Sequence, residues 1–310
     1  MSHIIPDTIH VVEVGLRDGL QNHPTHVSTE DKLHILEMLV AAGVDTIETG
    51  SFVRPDLVPQ MADSAEILRH SLHHPINNMS LIINERGYDR AYAAGSRSMA
   101  SVVMVSESMS ERNSGMSVAR SVQIAQRLAV RAARDDVRMR IYVSTAWVCP
   151  YEGQIAPEKV LRVAEKLIAL EPAELALSDT IGHAHPMQVA SLIELMARRI
   201  ELERITVHLH DTQGLGMANA YAAIDSGVRT LDASFGGLGG CPFAPGAKGN
   251  IATEDLVFLA HKMGFETGID LEKLLDAVEF AEGVVGRPLG GRARGLFAPD
   301  KPHPQNEFCG

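Results

Sequence analysis

His208 and His210 stand two residues apart at the end of an apolar run and are followed directly by Asp211. In an extended chain, positions i and i+2 share one face, so both imidazoles project to the same side. That spacing suits a metal ion, although a solvent-facing strand also produces such pairs by coincidence. Asp18 and Asn250 would add two oxygens to the two nitrogens and leave room for water or substrate. A set that mixes imidazole with oxygen and lacks thiolate suits an octahedral Mg²⁺ or Mn²⁺ rather than a closed structural zinc site. Arg17 lies next to Asp18, and Gly15 and Gly19 bracket the two in a tight loop. Its guanidinium stays charged and offers a fork of donors to a carboxylate or enolate oxygen; the bland reading is a plain Arg–Asp ion pair. Glu48 and Asp179 could orient Arg17 or the metal's waters, or could be ordinary salt-bridge members.

The stretch Gly236–Asn250 holds six glycines, one thiol (Cys241) and one carboxamide (Asn250) in fifteen residues. Glycine permits positive φ and close backbone approach at a cost in chain entropy, so a loop this rich in it is expected to wrap a ligand. Cys241 sits between glycine and proline, without the apolar neighbours of a core cysteine, and reads as an acid or base on a moving loop.

The elements that must position these groups alternate. Short β-rich runs are expected at His10–Val14, Thr46–Thr49, Leu81–Asn84, Ser101–Val105, Arg140–Ser144, Leu175–Ser178, Ile205–His208 and Thr230–Ser234, with helical patterns between them. Ser28-Thr29-Glu30-Asp31 opens one helix in the manner of a capping box. Pro157 and Pro186 each suit a first turn. Eight β–α units imply an α/β fold, a closed (β/α)₈ TIM barrel, as a single domain over 1–310. The barrel would occupy about 8–250, and additional C-terminal helices and a tail about 251–310. Catalytic groups of such barrels gather at the C-terminal strand ends. Polar or ionisable residues follow nearly every expected strand here: Arg17 and Asp18, Glu48, Asn84, Ser106 and Glu107, Thr145, Asp179, His208 and His210, and the Cys241 loop.

The formal net charge of −11 argues against a nucleic-acid or anionic-membrane surface. An anionic substrate therefore needs a local basic pocket or a metal. Three cysteines, Cys149, Cys241 and Cys309, are too few and scattered for a disulfide framework. With no apolar leader or membrane-length apolar run, a cytoplasmic protein is expected.

Several motifs resemble 3-hydroxy-3-methylglutaryl-CoA lyase. They are Glu13-Val-Gly-Leu-Arg-Asp-Gly-Leu-Gln-Asn22, Ile47-Glu-Thr-Gly-Ser-Phe52, Cys149-Pro-Tyr-Glu-Gly153, Asp179-Thr-Ile-Gly182, His208-Leu-His-Asp-Thr212 and the loop from Gly236 to Asp255. The resemblance runs over roughly residues 8–280 and extends more loosely to the metal-dependent barrel superfamily of isopropylmalate and homocitrate synthases and pyruvate carboxyltransferases. It implies a divalent metal held by Asp18, His208, His210 and Asn250, with Arg17 polarising a thioester carbonyl. Cys241 would be the acid/base on the closing loop, with Glu48 and Asp179 in support. The implied reaction is retro-Claisen cleavage of a 3-hydroxyacyl-CoA, by a homodimer joined through the C-terminal helices. Leu16, His23-Pro24, Thr145, Trp147 and the Ser/Met-rich Ser106–Met116 depart from the family pattern around the mouth and bear on the substrate; Trp147 would either reshape the acyl pocket or simply pack. Arg54, Arg86, Arg112 and Lys248 are the candidates for the CoA phosphates.

Overall fold

A computed structural model describes residues 8–240 and 249–296, and in it eight parallel strands close into a barrel. These are β1 (His10–Glu13), β2 (Thr46–Ser51), β3 (Asn77–Leu81), β4 (Ser98–Met104), β5 (Arg138–Ser144), β6 (Glu174–Asp179), β7 (Ile205–Leu209) and β8 (Thr230–Ala233). Closure is made by β1, which pairs with both β2 and β8. The outward side chains meet a jacket of helices: α1 (Thr29–Ala41), α2 (Ser64–Ser71), α3 (Glu85–Ala94), α4 (Glu107–Ser114), α5 (Val118–Arg134), α6 (Pro157–Ile168), α7 (Pro186–Met196), α8 (Gly216–Asp225), α9 (Thr253–Lys262) and α10 (Leu271–Val285). Strands covered on both faces lose the polar alternation of a half-exposed sheet, as Leu175, Ala176 and Leu177, all fully buried, illustrate. The (β/α)₈ barrel expected from the sequence is the architecture observed.

Local signals act as read. The Ser28 hydroxyl accepts the Asp31 N–H at 3.1 Å and opens α1, and Pro157 and Pro186 occupy first turns. Two expectations need correction. The run Leu81–Asn84 is not the third strand: that strand is Asn77–Leu81, and the Asn84 side chain instead accepts the Gly87 N–H at 2.9 Å, capping α3. Asparagine satisfies the orphan donors of a first turn, whereas Asn77 and Asn78 hide the strand signal behind polar residues. Nor do both helices after residue 250 lie outside the barrel. Helix α9 packs against α8 and β1 and supplies the eighth helix, so α10, laid along α1, is the addition. The long glycine-rich connection after β8 disguises that last β–α unit in the sequence. Among the described residues no helix is long and apolar enough to cross a membrane.

Candidate active site

The chain leaves β1 through a single wide helical turn, Gly15–Gly19, in which the Val14 carbonyl accepts from the N–H groups of Arg17 (3.1 Å), Asp18 (2.7 Å) and Gly19 (3.2 Å). Wide turns of this kind gather at functional sites. Here the turn depends on glycine: a Cβ at Gly15 would lie 2.4 Å from the Phe235 ring and 2.7 Å from Glu13 Oε1. The turn aims Arg17 into the barrel mouth. Arg17 Nε donates to Glu48 Oε2 at 2.5 Å, and Nη1 donates to Asp18 Oδ1 at 2.5 Å. Glu48 and Arg17 therefore form a buried ion pair at the mouth. Burial pushes the Glu48 carboxyl up despite its cationic partner. At Asp18 burial pushes the same way, but Arg17, His208 and His210 outweigh it and hold the carboxyl well below its ordinary value.

His208 and His210 lie on the inward face at the end of β7, with their Nε2 atoms 3.2 Å apart. Both face Asp18 Oδ2, at 3.9 Å and 3.7 Å. Asn250 arrives by backbone pairing. Asp211 N–H donates to the Gly249 carbonyl and Ile251 N–H to the Leu209 carbonyl, both at 3.0 Å, so residues 249–251 extend β7 sideways. Asn250 Nδ2 then donates to Asp18 Oδ2 at 2.8 Å and to the Leu238 carbonyl at 3.0 Å. Its Oδ1 is buried without a partner among the described residues. One ligand atom each from Asp18, His208 and His210 falls within 4.8 Å of the others. Two imidazole nitrogens and a carboxylate oxygen lie close together here, beside a buried, unsatisfied amide oxygen, and this donor set fits a divalent cation by type.

Behind this cluster stands a group that the sequence reading missed. Asp232, on β8 and fully buried, receives His208 Nδ1 at 3.1 Å, the Tyr142 hydroxyl at 3.0 Å and Arg140 Nη1 at 2.7 Å. Arg140 also pairs with Glu174, which accepts from the Thr206 hydroxyl at 3.0 Å. Burial at His208 works against its proton, and the hydrogen bond to Asp232 and the charge of Asp18 more than offset it, raising the imidazole above its ordinary value. The available signal was charged or phenolic residues inside apolar strands at inward register, Arg140 and Tyr142 two apart on β5 and Asp232 between Leu231 and Ala233.

Other polar strand ends do structural work, which corrects the expectation that all of them line one site. Ser106 caps α4 through Met109 N–H at 3.1 Å. Glu107 accepts the Val118 N–H at 2.9 Å. Thr145 ties β5 to β6 by donating its N–H to Thr180 Oγ1 at 2.8 Å. Asp179 accepts the N–H groups of His183 (3.1 Å) and Ala184 (3.0 Å), holding the turn after β6 rather than Arg17. A helix starts directly after β4, and its first N–H groups need acceptors; after β5 and β6 the polar residues hold turns instead. Cys241 and Lys248 lie outside the described residues, as does Cys309.

A cavity of about 1190 Å³ opens above the cluster. Arg17, Asp18, His208, His210 and Tyr142 form its polar floor, and Leu81, Val102, Met104, Met109 and Met116 line an apolar wall. Arg54 and Arg86 line it as well, whereas Arg112 stacks on the Tyr151 ring at 4.4 Å. Trp147 does not enter the cavity: it is buried, and its Nε1 donates to the Gln188 carbonyl at 3.1 Å, so it packs. A second cluster, Glu37 with His70 and His74, joins α1 to the end of α2 outside the cavity lining, with both Nε2 atoms on Glu37 Oε1.

A closed α/β barrel with ionisable groups converging at the C-terminal mouth beneath a large cavity has the layout of a barrel enzyme. The chain belongs to the HMGL-like family, whose model matches residues 8–281. It is 40% identical over 294 residues to the (R)-citramalyl-CoA lyase of Chloroflexus aurantiacus, covering 91% of this chain and 93% of that one. It is 42% identical over 265 residues to the hydroxymethylglutaryl-CoA lyase of Pseudomonas mevalonii, covering 85% and 88%. The crystal structure of the Bacillus subtilis HMG-CoA lyase superposes with a TM-score of 0.91 at 36% identity, over 94% of this chain and 99% of that one. An Acinetobacter baumannii HMG-CoA lyase in complex with coenzyme A and 3-methylmalate gives 0.91 at 34% identity, over 98% and 99%.

Proposed function

We propose that this protein is a carbon–carbon lyase that cleaves 3-hydroxy-3-methylglutaryl-CoA to acetyl-CoA and acetoacetate. The observation that carries the reading is the floor of the cavity, where Arg17, held by Glu48, meets the cluster of Asp18, His208, His210 and Asn250. Asp18, His208, His210 and Asn250 would hold a Mg²⁺ or Mn²⁺ ion, which when bound supplies Lewis-acid activation of the substrate hydroxyl and a neighbouring oxygen. In a retro-Claisen cleavage a base takes the hydroxyl proton, the oxygen's electrons form the new ketone at C3 as the C2–C3 bond breaks, and that bond's electron pair passes into the enolate of acetyl-CoA. Arg17 has donors beyond the two it commits to Glu48 and Asp18, and they stabilise that enolate oxygen without reorganising in the transition state. Asp18 holds its proton so weakly that it suits a ligand better than a base. Cys241 is assigned as the acid/base, its thiolate taking the hydroxyl proton and the thiol delivering it to C2 of the enolate, and Asp179 is assigned the support of the mouth through the turn it caps. Arg54 and Arg86, on the cavity wall, are assigned to the CoA phosphates.

A second substrate, citramalyl-CoA, is favoured by the likeness to the Chloroflexus enzyme at 40% identity over most of both chains. It would use the same groups and release pyruvate in place of acetoacetate. The test is a cleavage assay on both thioesters with Mg²⁺ or Mn²⁺, following acetyl-CoA and the keto acid, with a chelator control. Chelator-sensitive release of acetoacetate supports the first reading. Release of pyruvate alone moves the substrate and keeps the chemistry, and inactivity on both removes the lyase assignment.

A further inference from the structure

We infer that Asp232 is a positioning residue for the metal site, fixing the ring orientation and tautomer of His208 so that Nε2 is the nitrogen presented at the cavity floor. The inference rests on the metal-site reading above.

The geometry is specific. His208 has two ring nitrogens, and in the neutral imidazole one donates while the other accepts. Asp232 takes His208 Nδ1 at 3.1 Å, and a carboxylate offers it only acceptors, so Nδ1 carries the hydrogen. The lone pair is thereby left on Nε2, the atom that faces Asp18 and His210. Asp232 cannot swing away from this task. Its Oδ1 accepts from Arg140 Nη1 at 2.7 Å, its Oδ2 also accepts from the Tyr142 hydroxyl at 3.0 Å, and the residue is fully buried. Arg140 is tied in turn to Glu174, so the carboxylate is braced from the barrel interior. The Tyr142 ring stands edge-on to the His208 ring with centroids 5.7 Å apart, closing one side of the slot in which the imidazole sits. A carboxylate behind a ligating histidine is a recurrent way to set ring orientation and basicity, and its removal typically costs about 10- to 100-fold in metal affinity. Among the described residues His210 has no such brace: its Nδ1 is buried without a partner there. The two histidines are therefore unequal, and the one on Asp232 is the preorganised ligand.

The test uses the full chain in two measurements. In the first, Mn²⁺ binding is followed by the paramagnetic resonance of free Mn²⁺ for the wild type, His210→Ala and Asp232→Asn, with circular dichroism as the check on folding. The expected result is weaker binding by roughly 10- to 100-fold in Asp232→Asn with the fold retained. In the second, the nitrogen spectrum of the Mg²⁺-loaded wild type, assigned by comparison with His208→Gln, is expected to show His208 protonated at Nδ1 and bare at Nε2. This spectrum decides the matter even where Asp232→Asn does not fold. A purely structural Asp232 leaves Mn²⁺ affinity unchanged in a folded variant, and that result, or a His208 protonated at Nε2, overturns the proposal while the metal site stands. A wild type that binds Mn²⁺ no better than His210→Ala overturns the metal-site reading itself.

Discussion

Asn250 donates to the carboxylate of Asp18 at 2.8 Å across 232 residues of sequence. The bond joins the turn after the first strand to the far root of the glycine-rich connection after the last one. The same amide donates to the Leu238 carbonyl on the near root, so one side chain ties the two described roots of the loop that carries Cys241 and leaves its Oδ1 without a partner among the described residues.

Asn250→Ala is accordingly expected to act twice. It removes one oxygen from the candidate metal set and frees the loop root. Metal affinity should fall and kcat should drop by roughly 10²-fold or more, because misplacement of about an ångström at a reacting centre already costs that much. Titration calorimetry with Mn²⁺ and steady-state kinetics check the two effects separately. Unaltered Mn²⁺ affinity would remove Asn250 from the ligand set.

Arg17 and Glu48 allow stability and catalysis to be separated. Glu48 is fully buried and Arg17 nearly so, 2.5 Å apart. Arg17→Met should therefore lower stability by about 3–5 kcal/mol through the stranded Glu48 charge, and lower kcat by roughly 10²- to 10³-fold through lost stabilisation of the enolate. Adding Glu48→Gln should restore most of the melting temperature and none of the turnover. A double variant that recovers activity along with stability would return Arg17 to a structural role.

Cys241→Ser should leave Mn²⁺ binding near the wild-type value, since the candidate ligands are elsewhere, while kcat falls by roughly 10²-fold or more with the loss of the proton donor. Near-normal turnover on the cleavable thioester counts against the assignment.

Arg54 and Arg86 line the cavity wall, and Arg54 is highly exposed and paired with Asp56. Exposed charges are screened, so Arg54→Gln and Arg86→Gln should each raise KM for the acyl-CoA by roughly two- to fivefold with little change in kcat. The effect should shrink as salt rises. Equal KM values for both variants and the wild type at low salt would place the phosphates elsewhere.

What could be read in the chain beforehand was whatever depends on spacing. The barrel was legible because β-rich and helical runs alternate, and His208-x-His210 and Arg17–Asp18 because their geometry is set within a few residues. Asn250 was legible only through its glycine-rich setting. Asp232 and Arg140 were not, because a charge in a buried strand acquires meaning from partners far away, 92 residues apart in this pair. Ser106 and Thr145 misled for the converse reason: a polar residue after a strand serves equally as a ligand, as a helix cap or as a tie to the next strand, and the local chain does not distinguish these. The third strand was displaced because Asn77 and Asn78 begin a strand that then buries most of its length.

Glu13, immediately before the Arg17 turn, gives a pH-dependent prediction. It is fully buried; Oε1 accepts the Gly15 N–H at 2.7 Å and the Phe235 N–H at 3.1 Å, and Oε2 accepts the Thr253 hydroxyl at 2.6 Å. Burial is the largest influence and raises its pKa from 4.5 to about 8 against those three bonds. The folded chain thus keeps this proton at pH values where the unfolded chain has lost it. Between about 4.5 and 8 the native state binds more protons, so this group's contribution to stability is fully present below 4.5 and is lost as pH rises through about 8. Glu13→Gln mimics the neutral form: its Oε1 can accept the same two N–H groups and its amide can donate to Thr253 Oγ1. The melting temperature of the variant relative to the wild type should therefore rise steadily from pH 5 to pH 8 and level off above it. Parallel melting curves across that range would mean that Glu13 is ionised throughout, held by its donors rather than by a proton.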